Sequence, residues 1–254
     1  MTYCLGMRVE EGLIGIADTR ITTGSEVIEA RKVSIHTHRG HQFFIMTSGL
    51  RSVRDKTLTY FDELLEDEGT ETGDDGLYFD RLYKAVNCFS DQLRRVSKED
   101  GDALANSKLN LNMFALIGGR FEKDPAPKLY LLYPQGNWID IGPGTPYQII
   151  GATRYGKPIL DRTLNYTDTL RHALKVGCLS FDSTRISTSD VDFPIDVVIY
   201  RTDTGQISGA RYEKRDLAEL SDFWQQRLRE ALQQVPGAWE ERAFGGTPEW
   251  FDWT

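Results

Sequence analysis

Residues 1–20 read MTYCLGMRVEEGLIGIADTR, and the fold follows from how this stretch is parsed. Two apolar runs, 2–9 (TYCLGMRV) and 13–18 (LIGIAD), flank Glu10-Glu11-Gly12, which is the pattern of an antiparallel hairpin. Val33–His38 and 42–47 form a second pair around Arg39-Gly40, so four short strands are expected within the first 50 residues. Helical periodicity follows. Residues 51–67 place Val53, Leu58, Phe61 and Leu64-Leu65 on one face, and 77–97 do the same with Leu77, Leu82, Ala85-Val86, Phe89 and Leu93. An acidic loop, EDEGTETGDDG (66–76), separates them, and 98–110 is predicted as a polar connection. Strands return at 111–118, 128–133, 137–141 and 147–150, then helices at about 157–164 and 167–181. A hairpin (195–201 with 206–212) and a last helix over about 215–235 complete the pattern. Strands and helices thus come in segregated runs. That order predicts α+β layers with antiparallel sheets, not alternating βαβ units.

The chain has 254 residues, 40% of them hydrophobic and 27% charged, which is enough to bury a sizeable core without a disulfide or metal staple. No linker or repeat interrupts it, so one domain over 1–254 is expected, with 236–254 as an aromatic C-terminal tail. The end of that tail, AWEERAFGGTPEWFDWT, holds three of the five tryptophans; it either packs on its own domain or makes a subunit contact. A net charge of −8 argues against a nucleic-acid face and against a polybasic membrane anchor. No apolar run approaches a bilayer span, and the first residues lack the basic and apolar regions of a secretory signal. Cys4, Cys88 and Cys178 are odd in number with no CxxC spacing, as expected of reduced, mostly buried residues in a cytoplasmic protein.

Chemistry concentrates at the start. Thr2 follows the initiator Met, and excision of Met1 before a small residue would leave a hydroxyl and a free α-amine on one residue. Such an amine titrates near pH 8 and can serve as the base that activates the hydroxyl. Asp18 ends the second strand of the hairpin, near where its antiparallel partner begins, and so is expected beside Thr2. Lys32 opens the third strand, where its ammonium would pair with Asp18 and lower the hydroxyl's pKa. Gly49 follows the fourth, where a residue without a side chain lets a backbone N–H face an oxyanion. Each has a plainer reading alone: a turn residue, a solvated charge, a helix start.

Together they resemble the proteasome-type β subunits of the N-terminal-nucleophile hydrolases. The resemblance rests on Thr2, on GLIGIADTRITTG (12–24) with Asp18 and Arg20, on Lys32 before Val33, and on the TSGL turn (47–50). IGATRYGKPILDR (150–162), FDST (181–184) and FPIDVVIY (193–200) are similar to one bacterial branch, the ancestral β-subunit family Anbu. It spans the chain to about residue 212 and is strongest over 2–50. It implies an αββα sandwich, a cytoplasmic homo-oligomer in a ring or helical stack, and threonine hydrolase chemistry on peptide or amide substrates without a cofactor or metal. Carried over by position, Thr2 matches the nucleophile and base, Asp18 and Lys32 the charged pair, and Gly49 the oxyanion donor. The family also has a Ser after the strand ending at Ile150, where this chain reads Gly151-Ala152-Thr153 and only Thr153 offers a hydroxyl. A further Asp and Ser fall within FDSTRISTSD (181–190), where Asp182 and Ser187 are the candidates and Ser189 the alternative. The stretch from Asp18 to Lys32 is shorter than in true proteasome subunits, so their substrate pocket is not expected to carry over.

Two other functions compete. One is an oligomeric scaffold of the same fold with little or no hydrolase activity, suggested by the missing Ser near Ala152. The other is amidotransfer through Cys4, which is weakened because Cys4 is not the terminal residue. His36, His38 and His41 have a metal-like look, but they flank an Arg-Gly turn with no carboxylate nearby in sequence, and a solvated hairpin is expected. Gly118-Gly119 and Gly142-Pro143-Gly144 match neither GxGxxG nor a P-loop.

Overall fold

The computed structural model describes residues 2–23, 26–67 and 78–244. Met1, most of the acidic loop and residues 245–254 of the tail lie outside them. The chain forms two compact units, Met1–Asp216 and Leu217–Thr254.

Two five-stranded antiparallel sheets make the first unit. One contains β1 (Tyr3–Val9), β2 (Gly12–Asp18), β10 (Tyr147–Gly151), β11 (Ile195–Arg201) and β12 (Ile207–Tyr212), in the order β10-β1-β2-β11-β12. The other contains β5 (Val33–His38), β6 (His41–Gly49), β7 (Met113–Gly119), β8 (Lys128–Leu132) and β9 (Trp138–Asp140), running in chain order. Between the sheets pack Cys4, Leu13, Ala17, Phe44, Met46, Leu116 and Leu129. On the far face of the second sheet lie α1 (Arg51–Asp67) and α2 (Leu82–Asn106), meeting Phe43, Ile45, Met113, Ala115 and Ile117. Strand β6 shows the two-residue alternation directly: Phe43 and Ile45 face the helices, Phe44 and Met46 face the other sheet. Against the first sheet packs α4 (Leu170–Ser187), preceded by α3 (Lys157–Thr163). The layers are αββα, in agreement with the sequence.

Every residue of β1 and β2 is buried. Strands covered on both faces read as continuous apolar runs, which is why LIGIAD lacks a polar face. Gly177 lets α4 sit close on this hairpin: a Cβ there would stand 2.5 Å from Met7 Cε and 2.7 Å from Ile16 Cδ1.

The structure corrects four expectations. Six strands, not four, come first, because Arg20–Thr23 (β3) and Glu26–Glu29 (β4) pair as an extra hairpin. Residues 98–106 are the end of α2, not a connection. The apolar period fades after Val96, and ion pairs take over: Lys56 on α1 binds Glu99 at 2.7 Å and Asp100 at 2.9 Å, and Arg95 binds Glu99 at 3.0 Å. Helix α4 runs on through the polar FDSTRIS, where Thr184 Oγ1 donates to the Ser180 carbonyl and Arg185 pairs with Asp182. The histidine hairpin is not solvated either. His36 and His38 are buried among Phe43, Phe61 and Phe79, and His36 Nδ1 lies 3.0 Å from the Asp62 carboxylate, which the sequence places 26 positions away.

The second unit holds α5 (Ala218–Gln233) and the short α6 (Glu241–Phe244). Phe223, Leu228 and Leu232 on α5, and Trp239 and Phe244 after it, are exposed.

Candidate active site

The site forms where β1 starts, β2 ends and β6 ends. Thr2 is anchored by the edge strand β10: its carbonyl accepts the Ala152 N–H at 2.7 Å, and Tyr3 pairs with Gly151. Gly151 has φ +90°, and a Cβ there would stand 1.9 Å from the Thr2 carbonyl oxygen. The backbone itself therefore requires glycine at this point; Thr153 is exposed, while the Ser48 hydroxyl lies 3.2 Å from where a Cβ on Gly151 would stand.

Antiparallel pairing brings the end of β2 back to the start of β1. Asp18 is fully buried there, and its Oδ1 accepts both the Tyr3 N–H and Lys32 Nζ, each at 2.7 Å. Lys32, itself buried just ahead of β5, also donates to the Arg20 carbonyl at 2.6 Å. Two of its three ammonium protons are thus used, and one is left over among the described residues. Burial pushes the Asp18 carboxyl above its usual range, while Lys32 and the Tyr3 N–H pull it back. Asp18 Oδ2 is buried with no hydrogen-bond partner among the described residues.

Gly49 closes β6 with φ +131°, and a Cβ would stand 1.6 Å from the Asn112 carbonyl oxygen. Only glycine fits. Thr2, Lys32 and Gly49 together line a cavity of about 400 Å³, completed by Ser48, Asn112, Phe114, Gly151 and three arginines, Arg20, Arg51 and Arg54. A larger cavity of about 660 Å³ shares Lys32, Thr47 and Arg54 with it and extends along Val33, Asp196 and Arg211. The smaller one is the candidate site, because it holds Thr2.

Four of the six residues singled out from the sequence come together here: Thr2, Asp18, Lys32 and Gly49. The other two do not line the cavity. Asp182 is buried on α4 and paired with Arg185 at 2.5 Å, while Ser187 ends that helix and Ser189 follows it, both exposed. Cys4 is fully buried, and burial pushes its thiol far up, away from the thiolate a nucleophile needs. Ser48, Arg51 and Arg54 line the cavity without having been assigned a role from the sequence. The available signal was RSVR directly after TSGL, two cations at a helix start where acids are preferred.

Among the described residues, no group of three or more His, Cys, Asp or Glu is placed to hold a metal ion, and no helix is long and apolar enough to cross a membrane.

No family model and no curated protein matches the chain. Solved structures do. An Anbu mutant from Hyphomicrobium sp. strain MC1 is 30% identical, with a TM-score of 0.82 over 92% of this chain and 99% of its own. Anbu (ancestral beta-subunit) from Yersinia bercovieri is 27% identical, with the same TM-score over 92% and 98%. The helical assembly of the Anbu complex from Pseudomonas aeruginosa is 27% identical, again at 0.82, over 97% and 98%.

Proposed function

Since the chain belongs to the Anbu family of ancestral β-subunits, we propose that it is an N-terminal threonine hydrolase of peptide or amide bonds, with Thr2 freed by removal of Met1. The observation that carries this reading is the buried Asp18–Lys32 pair set against the first residue of β1, with Lys32 lining the cavity that also holds Thr2 and Gly49. A buried ion pair is weak evidence for stability, so its place beside Thr2 favours a chemical role.

In the reaction, Thr2 Oγ1 attacks the carbonyl carbon while its proton passes to the Thr2 amine. Lys32, with one N–H to spare, favours the developing alkoxide. The Gly49 N–H would hold the oxyanion, a contribution of about 3–4 kcal/mol. The C–N bond then breaks, and the proton on the Thr2 amine goes to the leaving nitrogen. Water attacks the remaining ester, returning the acid product and the free Thr2 hydroxyl. The protein works in the cytoplasm as a homo-oligomer, a ring or helical stack. The helical assembly of the Pseudomonas relative and the exposed apolar side chains of α5 support that part of the proposal.

A second reading, an oligomeric scaffold with weak or no activity, draws on one observation. Ser187 is exposed at the end of α4, and neither it nor Asp182 lines the cavity that holds Thr2. Intact mass before and after a neutral β-lactone separates the two. Loss of one methionine plus a single adduct, absent from Thr2→Ala, is expected of the hydrolase. Retained methionine, or excision with no adduct, would establish the scaffold. Thr2→Ala should also lower turnover at least about a thousandfold while leaving unfolding within about 0.5 kcal/mol of the parent.

A further inference from the structure

Among the described residues, the cavity beside Thr2 is lined by four cations, Arg20, Lys32, Arg51 and Arg54, and by no carboxylate. Their acidic partners stand outside the lining. Lys32 pairs with Asp18, Arg20 with Asp192 at 3.1 Å, and Arg51 and Arg54 share Asp55. One carboxylate for two guanidiniums leaves a positive excess at the wall.

Donors also remain unspent. Arg51 reaches Asp55 only through Nε, at 3.3 Å, and Arg20 reaches Asp192 only through Nη1. Arg20 Nε is buried with no partner among the described residues. A third, independent sign comes from the helix. α1 opens on Arg51 and carries Arg54 in the next turn, with no acid in its first turn. Cations at the positive end of a helix dipole oppose the usual preference, and the first N–H groups there have no intrahelical acceptor. A bound carboxylate resolves both features.

Resting on the Thr2 reading, we infer that this cavity binds a carboxylate on the acyl side of the scissile amide, so that the preferred substrate carries an Asp- or Glu-like residue there. A volume of about 400 Å³ suits a side chain of that size. Arginine suits a carboxylate because its planar fork matches the two oxygens. A neutral amide of the same shape would leave guanidinium donors unmatched, and an ammonium would add to the positive excess.

The test pairs turnover with binding. Fluorogenic amides of N-acetyl-Glu, N-acetyl-Gln and N-acetyl-Lys report kcat/KM; calorimetry with free N-acetylglutamate, N-acetylglutamine and N-acetyllysine reports binding without any chemistry. Glu is expected to exceed Gln by at least about tenfold in both, to exceed Lys by more, and to lose ground as salt rises. Arg51→Glu should remove the preference for Glu over Lys. N-acetylglutamate binding no tighter than N-acetylglutamine would overturn the inference, even with Thr2 labelled by the β-lactone. Unlabelled Thr2 with the binding preference intact would instead sink the hydrolase reading and leave the carboxylate site standing. A preference confined to a free carboxylate on the leaving residue, read with N-acetylalanyl-alanine against its amide, would move the cations to the leaving side and overturn the acyl-side assignment.

Discussion

The two ends of the β5–β6 hairpin treat titratable groups in opposite ways. At the turn, where Arg39 and Gly40 both have positive φ, His36 and His38 are buried among phenylalanine rings. His36 stacks on Phe43 at 5.3 Å, His38 sits 4.7 Å from Phe79, and the Phe79 N–H points at His38 Nε2. These rings pack as aromatics, and His36 Nδ1 also meets the Asp62 carboxylate at 3.0 Å. At the open end, Lys32 precedes β5 and Gly49 ends β6, and there the charges are kept: Asp18 and Lys32 are fully buried as an ion pair, with Asp18 Oδ2 unmatched. Desolvating both partners costs several kcal/mol, which mutual attraction roughly offsets at best. One end of the hairpin is optimised for the core. The other tolerates an expense that the core would not select.

The largest effect should come from breaking the charged end. Lys32→Met leaves the Asp18 carboxylate buried with only the Tyr3 N–H, a loss of about 3 kcal/mol at neutral pH. Burial already pushes the Asp18 carboxyl up, and without Lys32 it rises further. A native pKa above the unfolded value means the folded state holds the extra proton. The variant's deficit should therefore shrink as pH falls toward the ordinary carboxylate range and grow as pH rises. Urea unfolding at pH 5 and 7 reads this directly. Adding Asp18→Asn should return most of the stability and none of the turnover. A double variant that keeps its turnover would break the contrast between the two ends.

Next in size is Gly49→Ala. The new Cβ meets the Asn112 carbonyl at 1.6 Å, with φ at +131°, so the backbone must shift. An expected cost of about 1–3 kcal/mol in stability accompanies a loss of about a hundredfold in kcat, with KM changing far less. Equal losses in KM and kcat would show that Gly49 shapes the cavity and does not hold an oxyanion.

How much of this was legible follows the same divide. Thr2, Asp18, Lys32 and Gly49 could be read because strand ends are fixed by the period-2 pattern and by turns, and antiparallel pairing then dictates what meets. The segregated runs of strands and helices made α+β layers legible, whereas the αββα order came only with the family resemblance; in the structure LIGIAD and FFIM are apolar because both faces are covered. What escaped depends on contacts distant in sequence. The end of α2 is held by Lys56 and Tyr60 some 40 positions away, and no local periodicity records it. The histidines looked solvated because a turn surrounds them, whereas Phe61, Phe79 and Phe121 arrive from elsewhere to cover them. Arg51 and Arg54 had no role until the fold set them around the cavity that holds Thr2.

The smallest effect belongs at the aromatic end. Burial and the neighbouring Arg39 and His41 push the His38 imidazole below its ordinary value. The geometry agrees, since protonating Nε2 would set a donor against the Phe79 N–H. A depressed histidine pKa means that the unfolded chain takes up a proton which the folded one refuses. The stability tied to neutral His38 is full above about pH 6.5 and declines as pH falls below it. His38→Phe replaces the ring by an apolar one of similar shape, at a cost under about 1.5 kcal/mol at pH 7.5. The variant should lose less stability than the parent between pH 7.5 and 5.5, with β-lactone labelling of Thr2 unchanged. An identical pH dependence in both proteins would mean that His38 titrates freely, and that its ring is not the neutral partner its contact with Phe79 describes.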